Sequence, residues 1–416
     1  MRGTFSAAVV VALAWSSPAC AVALRGGPGA APFASCSDLD SALARLMAGA
    51  DEGESFWRRV RASGDLPLVF DTTAVFFWRG AARTVEWRGD LVGWGPSDES
   101  RGQRVGSTDI WTWRHELLPA SRADYKIVVD GETWLVDPAN PHQQVGGYGP
   151  NSEIRMPGWR APAHTVRRTE VARGRVEEIP LASARLGYRV DVRLYTPTGF
   201  DPAAGKRLPV LYVTDGSDYW RDEMGALVVT LDNLIADRKL PPIFAVFVDP
   251  WNRAAGVNRR ERELVPAVDG GCAFCDFLVD ELVPAIDSAH PTLASPEHRA
   301  ILGTSLGGLH ATFMVVTHGD VFGLAGIQSP ALRHAPGLLD RLRAAPRGPA
   351  RAVVDCGLYE GGMLADAREL AAALAAKGTR VKQLEIPDGH SWGHWRQTSA
   401  DLLVFLFAEA SPVSSP

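Results

Sequence analysis

Ala300-Ile301-Leu302-Gly303-Thr304-Ser305-Leu306-Gly307-Gly308-Leu309 runs from an apolar strand through a glycine-rich turn into an apolar helix that continues to residue 316. A serine in that strand–turn–helix setting, with glycine two residues to either side, matches the G-x-S-x-G elbow. The glycines are a steric requirement, because a bend sharp enough to expose the hydroxyl leaves no room for Cβ atoms at the flanking positions. The start of the helix then turns the Leu306 N–H toward any oxyanion that forms beside the serine. Ser305 is the expected nucleophile and Leu306 the first expected oxyanion donor.

Outward from the elbow, strands alternate with helices from about residue 175 onward. Strands are expected at 188–195, 209–214, 243–248 and 299–302, one ending at Ile327, and then at 352–355 and 381–386; helices are expected at 224–239 and 276–289. The apolar runs are continuous rather than alternating, as in strands buried on both faces. Residues 173–411 therefore read as α/β, a doubly wound and mostly parallel sheet.

A weak alcohol needs a base, and the base needs an acid to orient it. His390, in Pro387-Asp388-Gly389-His390, lies between the last strand and the final helix and is the expected base. His394 is its rival, but Ser391 stands where an H-E-x-x-H metal site would need glutamate, so no metal is expected. Three acids compete. Glu360 lies in the loop after the strand 352–355 and is preferred; Asp355 sits nearer the strand interior, and Asp388 is beside the histidine but on the wrong element. A second oxyanion donor is expected after the strand 209–214, from Gly216 or Ser217, which the sequence does not separate.

The front half has a different rhythm. Residues 36–64 carry an acidic helix start at Ser37-Asp38, with Leu39, Leu43, Leu46 and Met47 at helical spacing, and Phe56-Trp57 opens a second short helix. Short strands follow at 74–78, 84–87, 110–118, 125–129 and 134–136, with Asp130-Gly131 as a hairpin signal. Strands so spaced, with no helix between them, imply a small antiparallel, Ig-like sandwich, giving a front domain of 36–160. Trp78, Trp87, Trp94, Trp111 and Trp113 suit either sugar stacking or a core, and core is the expectation. Residues 137–172 read as a linker.

Arg2, the apolar run 7–15 and Ala21-Val22-Ala23 read as a signal peptide over 1–24, so export is expected. Nine apolar residues are too few to span a bilayer, which takes roughly 20. Four cysteines would remain, Cys36, Cys272, Cys275 and Cys356, and their pairing is open. The lone C-x-x-C at Cys272 and Cys275 reads as a local disulfide or buried thiols. A net charge of −5 over 416 residues, with scattered arginines, excludes a nucleic-acid footprint, and 41 glycines with 29 prolines fall well short of a low-complexity chain. No cofactor is expected, and the oligomeric state is open.

Phe56-Trp57, Asp215-Gly216 with Trp220, Gly303-x-Ser305-x-Gly307-Gly308, Gly357-x-x-Glu360, and Gly389-His390 with Trp395-Arg396 together resemble the enterochelin esterases and the related feruloyl-esterase-like hydrolases. The resemblance implies an α/β-hydrolase domain behind an Ig-like sandwich, a triad of Ser305, Glu360 and His390, and ester hydrolysis through an acyl-enzyme. Trp220, Arg260, Arg262 and Trp392 are the side chains expected to meet substrate, the arginines facing an anionic catecholate. Val128-Val129-Asp130-Gly131 with Asp137-Pro138-x-Asn140 is similar to glycogen-binding sandwiches, so an alternative is a feruloyl or acetyl esterase acting on polysaccharide. A third reading, from another class, is a non-catalytic binding protein that keeps the fold. The family's two-domain members usually work in the cytoplasm, whereas an exported member is expected either to meet other esters, small or polysaccharide-linked, or to process siderophore in the periplasm.

Overall fold

Runs such as Phe244-Ala-Val-Phe-Val-Asp249 have no polar face, and the structure buries them between helices in the middle of a sheet. The computed structural model describes residues 31–252, 255–267 and 269–408. The expected signal peptide, 1–24, and the tail 409–411 of the expected catalytic segment lie outside the described residues. The chain divides into two units, one ending at Gly64 and one beginning at Asp65.

In the first unit, Ser35 caps a helix over Cys36–Met47 by accepting from the Asp38 N–H, and a second helix spans Gly53–Ala62. Leu39, Ala42, Leu43 and Leu46 form the buried stripe that the spacing implied.

The second unit opens with nine strands: β1 (Leu68–Phe70), β2 (Thr73–Arg79), β3 (Val85–Gly89), β4 (Gln103–Arg104), β5 (Ile110–Glu116), β6 (Arg122–Val129), β7 (Thr133–Leu135), β8 (Gln143–Gly146) and β9 (Gly149–Arg155). They build two antiparallel sheets, β1-β2-β5-β4 and β3-β6-β9-β8, with β7 also on β6. Asp130 and Gly131 both have positive φ, 54° and 77°, the geometry an Asp-Gly hairpin turn requires. One core joins the two sheets. Trp87 stacks on Trp113 at 6.3 Å, and Phe76 meets Tyr125 edge-on at 5.0 Å. Trp87, Trp111 and Trp113 are therefore core, as expected, whereas Trp94 is not.

The expected linker at 137–172 is a correction. It holds β8 and β9, whose register sets Tyr125 opposite Ser152 and Arg122 opposite Arg155. Most of its buried strand residues, Gln144, Ser152 and Glu153, are polar and Ile154 alone in β9 is a buried hydrophobic, so no hydrophobic alternation announces the hairpin.

Next come β10 (Arg175–Ser183), β11 (Tyr188–Thr196), β12 (Val210–Thr214), β13 (Phe244–Asp249), a short hairpin β14 (Trp251–Asn252) and β15 (Val257–Asn258), β16 (Arg299–Thr304), β17 (Leu324–Gln328), β18 (Arg351–Gly357) and β19 (Arg380–Ile386). The main sheet runs β10-β11-β13-β12-β16-β17-β18-β19. The six strands from β13 to β19 in that order are mutually parallel, and β10 and β11 add an antiparallel edge. Helices Leu306–Thr317 and Gly362–Ala376 cover one face, and Leu227–Ala236 and Trp392–Phe407 the other. The elbow, the loop after β18 and the loop after β19 thus emerge from the same edge of parallel strands, where such sheets present ligand sites. No helix among the described residues is long and apolar enough to cross a membrane.

Candidate active site

Ser305 joins β16 to the helix Leu306–Thr317 with φ 59° and ψ −114°, a strained backbone for a residue with a side chain. The flanking glycines behave as the sequence implied. A Cβ on Gly303 would lie 2.3 Å from the Gly307 carbonyl oxygen, and one on Gly307 would lie 2.7 Å from Thr214 Oγ1. The bend closes only because both are absent.

His390 and Glu360 meet Ser305. The His390 Nε2 is 2.9 Å from Ser305 Oγ, and its Nδ1 is 2.6 Å from Glu360 Oε2. A carboxylate can only accept, so the proton sits on Nδ1, and Nε2 is left to accept from the serine hydroxyl. Burial works against the Glu360 charge, but hydrogen bonds from His390 and His394 hold its carboxyl well below the usual carboxylate range. The other oxygen, Oε1, accepts from Ser329 Oγ at 2.6 Å and from the Gly357 N–H at 2.7 Å. Trp395 donates to Ser329 Oγ at 2.9 Å and packs edge-on against His390.

The other two acids stand elsewhere. Asp355 accepts from Gln328 Nε2 at 2.8 Å and Thr398 Oγ1 at 2.6 Å, and burial pushes its carboxyl up. Asp388 accepts from Arg122 Nη1 at 2.9 Å, and burial raises it to about 6. His394, the rival histidine, is fully buried beside Glu360. Its Nδ1 is 3.3 Å from Glu360 Oε1 and its Nε2 3.5 Å from Asp355 Oδ1. Burial disfavours its charge, but Asp355 and Glu360 overcome that and raise it to about 9. Its role as a cationic support for Glu360 is one that sequence reasoning missed, since the only signal was a second histidine four residues on.

Leu306 is the first residue of its helix and lines the cavity beside Ser305. Gly216 and Ser217 open the short helix Gly216–Trp220 after β12, behind Asp215, whose φ is 54°. A Cβ on Gly216 would lie 2.7 Å from the backbone of Phe247 and Val248.

A cavity of about 630 Å³ opens over Ser305 and His390. Trp392, Trp251 and Arg333 line it, and Trp94, Lys126, Trp134 and Tyr148 come to it from the antiparallel sheets and the β8–β9 hairpin. Trp94 was weighed as a sugar contact; Lys126, Trp134 and Tyr148 went unnoticed because nothing in a strand pattern says which outward residue overlooks the cavity. Arg260 also lines the cavity, but its guanidinium is engaged, donating to Asp215 Oδ1 at 2.8 Å and to the Thr304 carbonyl at 3.1 Å.

Two expected substrate contacts are corrections. Trp220 is not in the cavity wall: it packs against the core beneath Arg193, whose guanidinium lies 4.4 Å from its ring. Arg262 points away as well, toward Glu263 and the Tyr188 ring. Arg260 and Arg262 share the helix Arg260–Leu264, where a two-residue step is a rotation of roughly 200°, so one faces the cavity and the other cannot. Cys272 and Cys275 are joined in a disulfide, while Cys36 and Cys356 are free. Among the described residues, the group with metal-ligand spacing is Cys272, Cys275 and His310, and the disulfide occupies its two thiols.

The chain is similar to known esterases. The Esterase family model matches residues 183–405. The endo-1,4-beta-xylanase/feruloyl esterase of Xylanibacter ruminicola is 26% identical over 236 residues, 54% of this chain and 31% of that protein, so the chain spans about a third of that relative. The iron(III) enterobactin esterase of Escherichia coli O6:H1 is 26% identical over 353 residues, covering 74% of this chain and 83% of that one. The enterobactin esterase of Shigella flexneri, solved in the presence of enterobactin, superposes with a TM-score of 0.67 at 21% identity, over 86% of this chain and 99% of that one. That likeness shows an α/β-hydrolase-type fold. Matched by the family model over more than half its length, the chain belongs to the Esterase family of carboxylic ester hydrolases.

Proposed function

We propose that the protein is an exported serine esterase that works through Ser305, His390 and Glu360. One observation carries the reading: an unbroken hydrogen-bonded relay from Ser305 Oγ to His390 Nε2 at 2.9 Å and from Nδ1 to Glu360 Oε2 at 2.6 Å. Ser305 Oγ attacks the ester carbonyl carbon as His390 Nε2 takes its proton. The tetrahedral oxyanion is met by the Leu306 N–H and by that of Gly216 or Ser217, each such donor worth about 3 kcal/mol. Collapse breaks the C–O bond, and His390 returns the proton to the departing alcohol. Water then repeats the sequence on the acyl-enzyme and releases the acid, with Ser305 restored.

The aromatic rings and cationic side chains of the cavity support an aromatic, anionic ester, and the likeness to enterobactin esterases supports the same reading. Trp134, Tyr148 and Trp251 supply ring faces, and Lys126 and Arg333 supply positive charge. A second reading, an ester of a plant polysaccharide, is favoured by the contribution of Trp94 and Trp134 from sheets we read as an Ig-like sandwich. The reading of residues 1–24 as a signal peptide, together with a disulfide, supports an oxidising compartment. A panel of catecholate trilactone, methyl ferulate, acetylated xylan and p-nitrophenyl butyrate, with Ser305→Ala as control, tests the proposal. Preference for the trilactone supports the first reading and preference for ferulate or xylan the second; turnover that survives Ser305→Ala refutes the mechanism.

A further inference from the structure

We infer that Arg122, on β6 of the antiparallel part, is a positioning residue for His390, holding both flanks of the loop that presents the imidazole. The inference rests on the triad proposed above. Arg122 is 1% exposed. Its backbone N–H donates to the Pro387 carbonyl at 3.0 Å, and its Nη1 donates to Asp388 Oδ1 at 2.9 Å and to Ser391 Oγ at 2.7 Å. One residue thus grips the loop three and two positions before His390 and one position after it. Asp388 Oδ1 also accepts from the Gly389 N–H at 2.7 Å, and Ser391 Oγ caps the following helix by accepting from the His394 N–H. The remainder of the guanidinium is fixed from behind by Asp124 and by Glu153, the latter 3.1 Å from Nε.

The same contact is closed sterically. A Cβ on Gly389 would lie 2.1 Å from Asp90 Cγ and 2.2 Å from Asp90 Cβ, and one on Gly393 would lie 1.9 Å from Arg122 Cζ. The loop therefore seats against the sheet at the two glycines that bracket His390 and cannot shift toward it. From its own side the loop is tied by the Tyr359 N–H to the Asp388 carbonyl and by His394 to the Gly389 carbonyl. Those ties fix its depth, whereas Arg122 fixes it from the opposite direction. This gives the antiparallel sheets a task beyond lining the cavity.

The test uses the full chain and p-nitrophenyl acetate, too small to reach the cavity's aromatic wall. Arg122→Lys keeps the charge but cannot bridge Asp388 and Ser391 while also reaching Glu153. Gly389→Ala pushes the loop off Asp90, and Asp90→Gly, which removes both the Cβ and the carboxyl, makes room again. A misplacement on the order of 1 Å costs about 10²-fold, so each single variant should lose about that in kcat with KM little changed. Gly389→Ala combined with Asp90→Gly should recover at least about ten-fold over Gly389→Ala alone. The rescue keeps the inference falsifiable if Arg122→Lys does not fold. A folded Gly389→Ala protein with wild-type kcat, or a double variant no better than the single, overturns it while leaving the triad standing. Wild-type protein that hydrolyses no ester overturns the triad, and this inference with it.

Discussion

Replacing Glu360 by glutamine changes one oxygen to an amide nitrogen, and the structure offers that nitrogen no place that keeps the relay intact. With the NH₂ toward His390, it donates to Nδ1 and forces the ring proton onto Nε2, 2.9 Å from Ser305 Oγ, so the base can no longer accept. With the amide flipped, the NH₂ faces the Gly357 N–H across a contact that is now 2.7 Å, donor against donor. An unmet buried donor costs about 1–3 kcal/mol, so the first orientation wins and the wrong tautomer is locked in. Loss of the correct tautomer in a serine triad lowers kcat about 10⁴-fold, equivalent to about 5.4 kcal/mol of transition-state stabilisation. The assay is steady-state hydrolysis of p-nitrophenyl butyrate with Ser305→Ala as background, alongside thermal melting to verify folding. A folded Glu360→Gln enzyme within about ten-fold of wild type would refute the reasoning. Inactivity of Asp355→Asn in the same experiment would move the acid's role to Asp355.

Further expectations follow from the same geometry. His394, raised to about 9 by Asp355 and Glu360, binds its proton more tightly folded than unfolded. Its stabilising contribution is therefore complete below the ordinary histidine range and is lost as pH rises through about 9. Wild-type protein should melt above His394→Gln at pH 6, and the gap should narrow toward pH 10; a gap that widens contradicts the charged assignment. Trp134→Ala and Tyr148→Ala, at exposed rings on the cavity rim, should raise KM for aromatic esters by about 2–10-fold while leaving kcat for p-nitrophenyl acetate unchanged. Lys126→Ala and Arg333→Ala should raise KM for anionic esters by about 2–5-fold and leave neutral ones alone, with the difference fading in high salt. Equal effects on charged and neutral esters would count against that assignment.

What the sequence made legible was local or topological. The elbow could be read because its glycines answer to collisions within five residues, and the collisions are there at Gly303 and Gly307. That the loops of His390 and Glu360 meet could be read because parallel strands deliver their following loops to one edge. The β8–β9 hairpin escaped because it is held by polar residues: Ser152 Oγ accepts from the Asp137 N–H, and Asn151 donates to Asp124. Trp220 and Arg262 were misassigned because proximity along the chain says nothing about which side of a helix a residue occupies. The support that His394 gives Glu360, and that Arg122 gives the histidine loop, arises from elements far apart in sequence and has no local signature.

The account's central claim is that Ser305 is activated by His390, and active-site labelling addresses it most directly. Folded wild-type protein is incubated with a fluorophosphonate and mapped by peptide mass spectrometry. The account predicts one stoichiometric adduct, on the peptide containing Ser305, which vanishes in Ser305→Ala and forms far more slowly in His390→Ala. No adduct on the folded protein, an adduct on another residue, or labelling indifferent to His390→Ala would contradict it.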